Sequence, residues 1–359
     1  MKAILIIMLF SFSMCKRNDN YSFVKLFNYE NVANDRQITG IHFLNDSIVF
    51  MLGIDDRNVQ KVYENPKSLI LKTFDGGKTF EYDYLGDGKL TLFNYSTDFK
   101  NIYIIQEHYI IKDKIYKISD ILHSSDLGRS WEKVHSFFEK TILNIVFYND
   151  SLGVITLHEN GNSQLYKTED GGISWFKINN PLLNEGIANL IDSKGMLWGI
   201  YSTIDNIIWK MDLKNDIVYQ VPIDLPSDYV LMGSLKYDMV KSHLYLYCRQ
   251  KDFNSNCQYM IYCVNDKRHI KFNEPIGGFN VYGSYIGVVS WERDNDLKSI
   301  YFYSTDNGKT WNKEIPKCRL LSQYALYGNG DFWSIAEYGD NILWPLMIRI
   351  KNKEEYDFK

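Results

Sequence analysis

Beyond its first twenty residues the chain holds no sustained helical period. Apolar and polar positions alternate, or apolar residues run on briefly, in short segments broken by Asn, Asp and Gly. From Ile142 onward four such segments follow one another, ILNIVFY, LGVITLH, SQLYKT and SWFKI, each rich in β-branched and aromatic residues. Period-two patterning with that composition predicts four consecutive strands. The exception is the N-terminus, where Lys2 precedes an apolar run from Ile4 to Met14, followed by Cys15 and charged residues. A spanning helix needs about 20 apolar residues, so this shorter run reads as an export signal.

The strand pattern repeats. The octapeptide STDNGKTW (Ser304–Trp311) has three counterparts, TFDGGKTF (Thr73–Phe80), SSDLGRSW (Ser124–Trp131) and TEDGGISW (Thr168–Trp175). Their aspartates, Asp75, Asp126, Asp170 and Asp306, are spaced 51, 44 and 136 residues apart, the last interval close to three times 45. A second repeat, GMLWGIYSTIDNIIW from Gly195 and GDFWSIAEYGDNILW from Gly330, has an offset of 135. A third pairs FLNDS at Phe43 with FYNDS at Phe147. Decayed turns near Asp212, Asn265 and Asn352 complete the series. A period near 45 residues, with four short strands per unit, predicts an all-β chain folded as a single β-propeller. The expected count is seven four-stranded blades, with six or eight as alternatives. An outer strand for the last blade is expected from Tyr21–Tyr29 or from the C-terminal EEYDF, because a free sheet edge invites unwanted pairing.

In the octapeptide the Asp carboxylate can accept backbone N–H groups across a turn, Gly supplies a positive φ, and Ser or Thr adds a local bond. The trailing aromatic packs over the corner. The residues assigned to these structural corners are Asp75 and Gly77; Asp126, Gly128 and Trp131; Asp170, Gly172 and Trp175; and Asp306, Gly308 and Trp311. A repeated corner is structure, so no catalytic residue is assigned among them.

These motifs resemble the Asp-box, or BNR, repeats of sialidase-like propellers and of the photosystem II assembly factor family. The resemblance covers nearly all of residues 25–359. Cys15 directly after the apolar run resembles the lipobox of bacterial lipoproteins, although Phe12 and Met14 depart from its usual residues. The expected organisation is a lipoprotein-type signal over 1–15 with lipidation at Cys15, a tether over 16–24, and a propeller over 25–359. The expected location is the bacterial cell envelope, with membrane contact through the lipid anchor only.

Function is expected on the end of the propeller that carries the variable loops between second and third strands. The residues proposed there are Asp55, Asp56, Arg57, Glu107, His158, Glu159, Arg249, Trp291, Glu292, Arg293, Glu337 and Tyr338. A sialidase-like enzyme would need three arginines around a carboxylate, a Tyr nucleophile with a Glu, and an acid. Arg57, Arg249 and Arg293 with Glu337 and Tyr338 offer the residue types, but the family's Arg-Ile-Pro motif is missing, its nearest match being RQI at Arg36. The favoured expectation is a non-catalytic binding or assembly module for a protein or a glycan. A sialidase-like glycoside hydrolase and an inhibitor or immunity lipoprotein are the alternatives.

Net charge is −4, from 40 Lys and Arg against 44 Asp and Glu, with no basic stripe, which argues against nucleic acid as a partner. No cofactor motif occurs. Cys248, Cys257 and Cys263 cluster with His243 and His269, but their spacing matches no zinc pattern, so no metal site is expected. Export would permit a disulfide from Cys248 to Cys257 or Cys263; buried free thiols are the alternative, and the role of Cys318 stays open.

Overall fold

The computed structural model describes residues 21–25, 36–45, 47–55, 64–76, 79–159, 161–180, 187–192, 194–202, 206–238, 240–252, 257–292, 295–315, 319–326, 331–338 and 342–350. Every regular element among them is a strand. β1 (Tyr21–Lys25) comes first, followed by antiparallel meanders. These are β2 (Arg36–Phe43), β3 (Val49–Asp55), β4 (Lys67–Thr73) and β5 (Glu81–Asp87); then β6 (Lys89–Tyr95), β7 (Ile102–Ile111), β8 (Ile115–Ser124) and β9 (Glu132–Phe138); then β10 (Thr141–Phe147), β11 (Gly153–Glu159), β12 (Asn162–Thr168) and β13 (Phe176–Lys177). They continue with β14 (Ile187–Ile191), β15 (Met196–Ser202), β16 (Ile207–Asp212) and β17 (Ile217–Pro222); β18 (Tyr229–Asp238), β19 (His243–Gln250), β20 (Tyr259–Cys263) and β21 (Arg268–Phe272); and β22 (Ile276–Tyr282), β23 (Tyr285–Glu292), β24 (Asn295–Ser304) and β25 (Asn312–Glu314). The last three strands are β26 (Arg319–Leu326), β27 (Asp331–Tyr338) and β28 (Ile342–Ile350). The result is the expected β-propeller architecture, seven four-stranded antiparallel sheets.

The chain divides into two compact units. The first holds the sheets β2–β5, β22–β25 and β26–β28. Here β1 adds to the outer edge of β28, with Tyr21 opposite Ile350 and Lys25 opposite Leu346, so the N-terminal segment completes the last sheet. This corrects the expected boundary at residue 25, since the sheet begins at Tyr21, inside the segment read as a tether. The C-terminal EEYDF, Asn352 and Cys15 lie outside the described residues, as does Gly77.

The second unit holds the four sheets from β6 to β21, and its core lies between successive sheets. Tyr103 on β7 stacks on Phe147 of β10 with ring centroids 3.5 Å apart, amid Ile105, Ile121, Ile145, Ile155 and Leu157. Val146, Val154 and Leu165 meet Leu197, the fully buried Trp209 and Met211 in the next gap, and Ile208 meets Leu231, Leu246 and Met260 in the one after. Polar ties cross the same gaps. Asn94 Oδ1 accepts Phe147 N at 3.1 Å, Lys167 Nζ reaches Asp216 at 2.9 Å, and Leu231 N donates to Asn206 Oδ1 at 3.2 Å. In all seven sheets the first strand shows a register irregularity against the second. An extra residue there raises local twist.

The octapeptides are corners between third and fourth strands. Asp126 Oδ1 accepts Ser124 Oγ at 2.8 Å, Arg129 N at 2.9 Å and Ser130 N at 2.8 Å, while Oδ2 accepts Ser130 Oγ at 2.7 Å. Asp170 and Asp306 repeat the pattern, with Ser174 N and Thr310 N each 2.9 Å from Oδ1, and Asp75 accepts Thr79 N at 2.9 Å. The corner is also tied to its own sheet's first hairpin: Gly76 N, Gly171 N and Asn307 N donate to Ser47 O, Ser151 O and Ser284 O, each at 2.9 Å. Trp175 and Trp311 donate Nε1 to the carbonyls of Gly172 and Gly308. The FLNDS and FYNDS repeats are those first hairpins, where Asn45 and Asn149 accept the backbone N–H groups two and three residues on.

Burial raises the Asp126 carboxyl, but the bonds from Ser130, Ser124 and Arg129 outweigh it and bring the group to about 2. For Asp170 the Ser174 hydroxyl is the leading cause, again to about 2. A carboxyl depressed in the folded state stabilises fully above its unfolded value of about 4 and progressively less as pH falls through the folded value. Denaturant titrations should therefore show stability falling between about pH 4 and pH 2. Asp170→Ala should cost about 1–3 kcal/mol at neutral pH and flatten that acid loss.

The corner needs two successive left-handed residues, not the one that its Gly implies. Gly171–Gly172 have φ of 75° and 95°, and Asn307–Gly308 have 65° and 77°. In the second sheet the first of these positions is Leu127, at 59°. A branched side chain is strained there by roughly 1–2 kcal/mol. Leu127→Gly should raise stability by about 1 kcal/mol, the strain relief exceeding the entropy glycine adds to the unfolded chain; a lower denaturation midpoint would contradict the strain.

Candidate functional site

The connections between second and third strands are where the functional residues are expected, and the sheets place each as follows. Asp55 closes β3 with its carboxylate buried, and Oδ2 accepts the Tyr84 hydroxyl at 2.7 Å. Glu107 lies within β7, not in a loop, and pairs with Lys117 at 2.8 Å across the hairpin. Glu159, at the end of β11, accepts Lys140 Nζ at 2.7 Å and the Tyr166 hydroxyl at 2.9 Å; the ammonium is the main cause that holds its carboxyl below the ordinary range. Its neighbour His158 is exposed. Arg249 on β19 sets Nε 3.0 Å from Met232 Sδ and donates Nη1 to Gln250 O at 3.2 Å.

Trp291 on β23 packs the distal end of its ring against Gly277 of β22. A Cβ on Gly277 would fall 2.2 Å from Trp291 Cη2, so the glycine is what lets the indole pack down, and Nε1 is buried. Glu337 and Tyr338 are the last two residues of β27. Glu292 ends β23. Asp56, Arg57 and Arg293 lie outside the described residues.

Asp55, Glu107, Glu159 and Arg249 are thus engaged within their own sheets. What protrudes is apolar. β7 and β8 are ten residues each and pair out to Ile111 opposite Ile115, whereas β6 pairs with β7 only as far as Lys89 opposite Glu107, and β9 reaches β8 only at Ile118. The hairpin beyond these points is a two-stranded ribbon. Tyr109, Ile111 and Ile115 share one face, and Ile110 and Tyr116 the other; Ile111 is 65% exposed. Phe138, 51% exposed, extends the second face by packing on Tyr116 at 4.9 Å. Asn65 pairs its side-chain amide with the backbone of Tyr109, donating to O and accepting from N at 2.8 Å each, as an added strand would. The signal in the sequence is YIIKDKIY, three isoleucines and two tyrosines around a charged turn.

Among the described residues no cysteines pair. Cys248, Cys257 and Cys263 are buried thiols outside any disulfide, and burial pushes Cys248 up to about 12. His269 stacks on Tyr262, and Cys318 lies outside the described residues.

No protein-family model and no curated protein sequence matches the chain. Solved structures do match its fold. "YCF48 bound to D1 peptide" aligns with a TM-score of 0.56 and 13% identity over 94% of this chain and 98% of that one. The β-propeller domain of the Trilobed protease from Pyrococcus furiosus, described as having an open velcro topology, aligns with a TM-score of 0.60 and 9% identity over 90% and 97%. An oligogalacturonate lyase in complex with manganese aligns with a TM-score of 0.62 and 9% identity over 91% and 93%. At these identities the likeness establishes the β-propeller class and no activity.

Gly277→Ala should displace the Trp291 ring, shift its fluorescence and cost about 1–3 kcal/mol by overpacking. Combining it with Trp291→Ala should cost less than the sum of the two single changes. Strict additivity would show that ring and glycine are not in contact.

Proposed function

We propose that this protein is an exported, lipid-anchored binding module that captures an extended segment of a protein partner on the loop end of its propeller. The observation that carries this reading is the apolar ribbon at the tip of β7 and β8. Folded chains seldom hold this many large apolar side chains together in water without a partner to cover them. Binding of extended peptides by main-chain pairing with side-chain pockets is a recurring mode for strand edges, and the Asn65–Tyr109 pairing, which engages the ribbon's backbone as a strand would, supports that mode. A fold shared with a propeller bound to a peptide supports the same class of ligand. The acidic corners have no part in it, because their carboxylates are engaged by the turns. Kinship with Asp-box propellers and lipidation at Cys15 belong to this proposal.

A photo-crosslinking residue at position 111 of the full chain, in its own cell envelope, should trap a protein. Ile111→Lys combined with Ile115→Lys should reduce the crosslink at least about tenfold, the equivalent of about 1.4 kcal/mol, while leaving thermal unfolding unchanged. Absence of a protein adduct, together with retention on a glycan array or turnover of glycosides, would overturn the reading in favour of a sugar-directed propeller.

A further inference from the structure

The third-to-fourth strand corner of the β18–β21 sheet is one of those that have lost the octapeptide. In the intact corners the third strand ends on a hydroxyl, Thr73, Ser124, Thr168 or Ser304, and Asp follows two residues later. In the sheet β18–β21 the third strand ends on Cys263, Asn265 stands two residues later, and no Gly follows. Asn265 keeps a structural task, its Oδ1 accepting Leu244 N at 2.8 Å across to the first hairpin. Cys263 and the next carboxylate, Asp266, are released from the corner pattern and meet His243, the first residue of β19.

These three side chains converge. His243 Nδ1 lies 3.7 Å from Cys263 Sγ and 3.5 Å from Asp266 Oδ2, and Cys263 Sγ lies 3.7 Å from Asp266 Oδ2. Zinc binds thiolate at about 2.3 Å, imidazole at about 2.0–2.1 Å and carboxylate at about 2.0–2.2 Å. At tetrahedral angles those bonds imply donor separations of about 3.5–3.7 Å from sulfur to either partner and about 3.3–3.5 Å from nitrogen to oxygen. The observed triangle matches within a few tenths of an ångström, before any ion draws it together. We infer that His243, Cys263 and Asp266 form a three-ligand site for a zinc ion, its fourth position open to water.

The surroundings fit that assignment. Cys263 is fully buried, whereas the His243 and Asp266 side chains are 24% and 46% exposed, so an ion has an entry path on their side. Burial is the leading influence on the Cys263 thiol and raises it, and the backbone N–H groups of Asp266 and Asn265 directed at its sulfur offset part of that, the kind of outer contact that orients metal ligands. Arg268 Nη2 stands 3.9 Å from Asp266 Oδ2 and offsets the carboxylate charge until an ion takes over. Binding breaks the Cys263 S–H bond, releases that proton to solvent and forms the metal–sulfur bond. The sequence concealed this site because Cys263 has no second cysteine at zinc-finger spacing and His243 stands 20 residues before it; the antiparallel pairing of β19 with β20 brings residues 243 and 263 together.

Titrating the full chain with Co²⁺ as a spectroscopic stand-in should give one thiolate-to-metal charge-transfer band saturating at one ion per chain, displaced by Zn²⁺. Cys263→Ser should abolish the band, while Cys248→Ala and Cys15→Ser should leave it intact. Asp266→Asn and His243→Gln alter partly exposed positions, keep the fold by circular dichroism, and should each weaken binding at least about tenfold, the size that loss of a supporting ligand contact alone produces. A chain that shows no thiolate band, or one whose band persists in Cys263→Ser or whose affinity is unmoved in both Asp266→Asn and His243→Gln, would overturn the site. None of these outcomes bears on peptide capture by the β7–β8 hairpin.

Discussion

A four-stranded sheet of strands this short buries too little alone, so each sheet persists only while a neighbour covers its faces. In the second unit the covering is explicit. Phe147 and Tyr103, Trp209 and Val154, and Ile208 and Leu246 belong to adjacent sheets and share one apolar gap each. The constraint fixes which side chains must be large and apolar, and it leaves the strand connections free to vary. Within each sheet the strand ends must also be held together, which is where the acidic corners enter. Each binds its own turn, and three of them reach back to the first hairpin of the same sheet, holding the strand ends together.

That division of labour explains where chemistry can and cannot reside. An aspartate that accepts three or four hydrogen bonds is held ionised and oriented inward to its turn, so conspicuous repetition marks a residue whose bonding capacity the turn has already used. Opportunity arises where repetition fails. In the β18–β21 sheet the hydroxyl and carboxylate of the pattern are replaced by Cys263 and Asn265, the hairpin is secured by a different bond, and a thiol, an imidazole and a carboxylate are left facing one another. A similar release operates on the opposite ends of the strands, where β7 and β8 outgrow their neighbours and carry apolar side chains past the point at which a sheet can bury them.

The polar residues near the variable connections illustrate how sheet pairing engages side chains that composition leaves open. Asp55, Glu107 and Glu159 are acidic and close to those loops, yet each is neutralised or bonded by a partner within its own sheet or the next, Tyr84, Lys117 or Lys140. Trp291 resembles an exposed anchor in sequence, but a glycine on the neighbouring strand gives its ring a place to lie.

The local pattern determined the strands, the repeat and the acidic corners, because each depends on periodicity or on contacts within a few residues. It left the closing strand open between the Tyr21 segment and the C-terminus, which only the pairing of Tyr21 with Ile350 decided. Register and strand length did not show in it. Whether Tyr109 and Ile111 fall inside a sheet or beyond its edge depends on where β6 and β9 stop, and whether His243 meets Cys263 depends on which residues of β19 and β20 stand opposite. Those are consequences of pairing between segments many residues apart, decided only when the sheets assemble and bury their common faces.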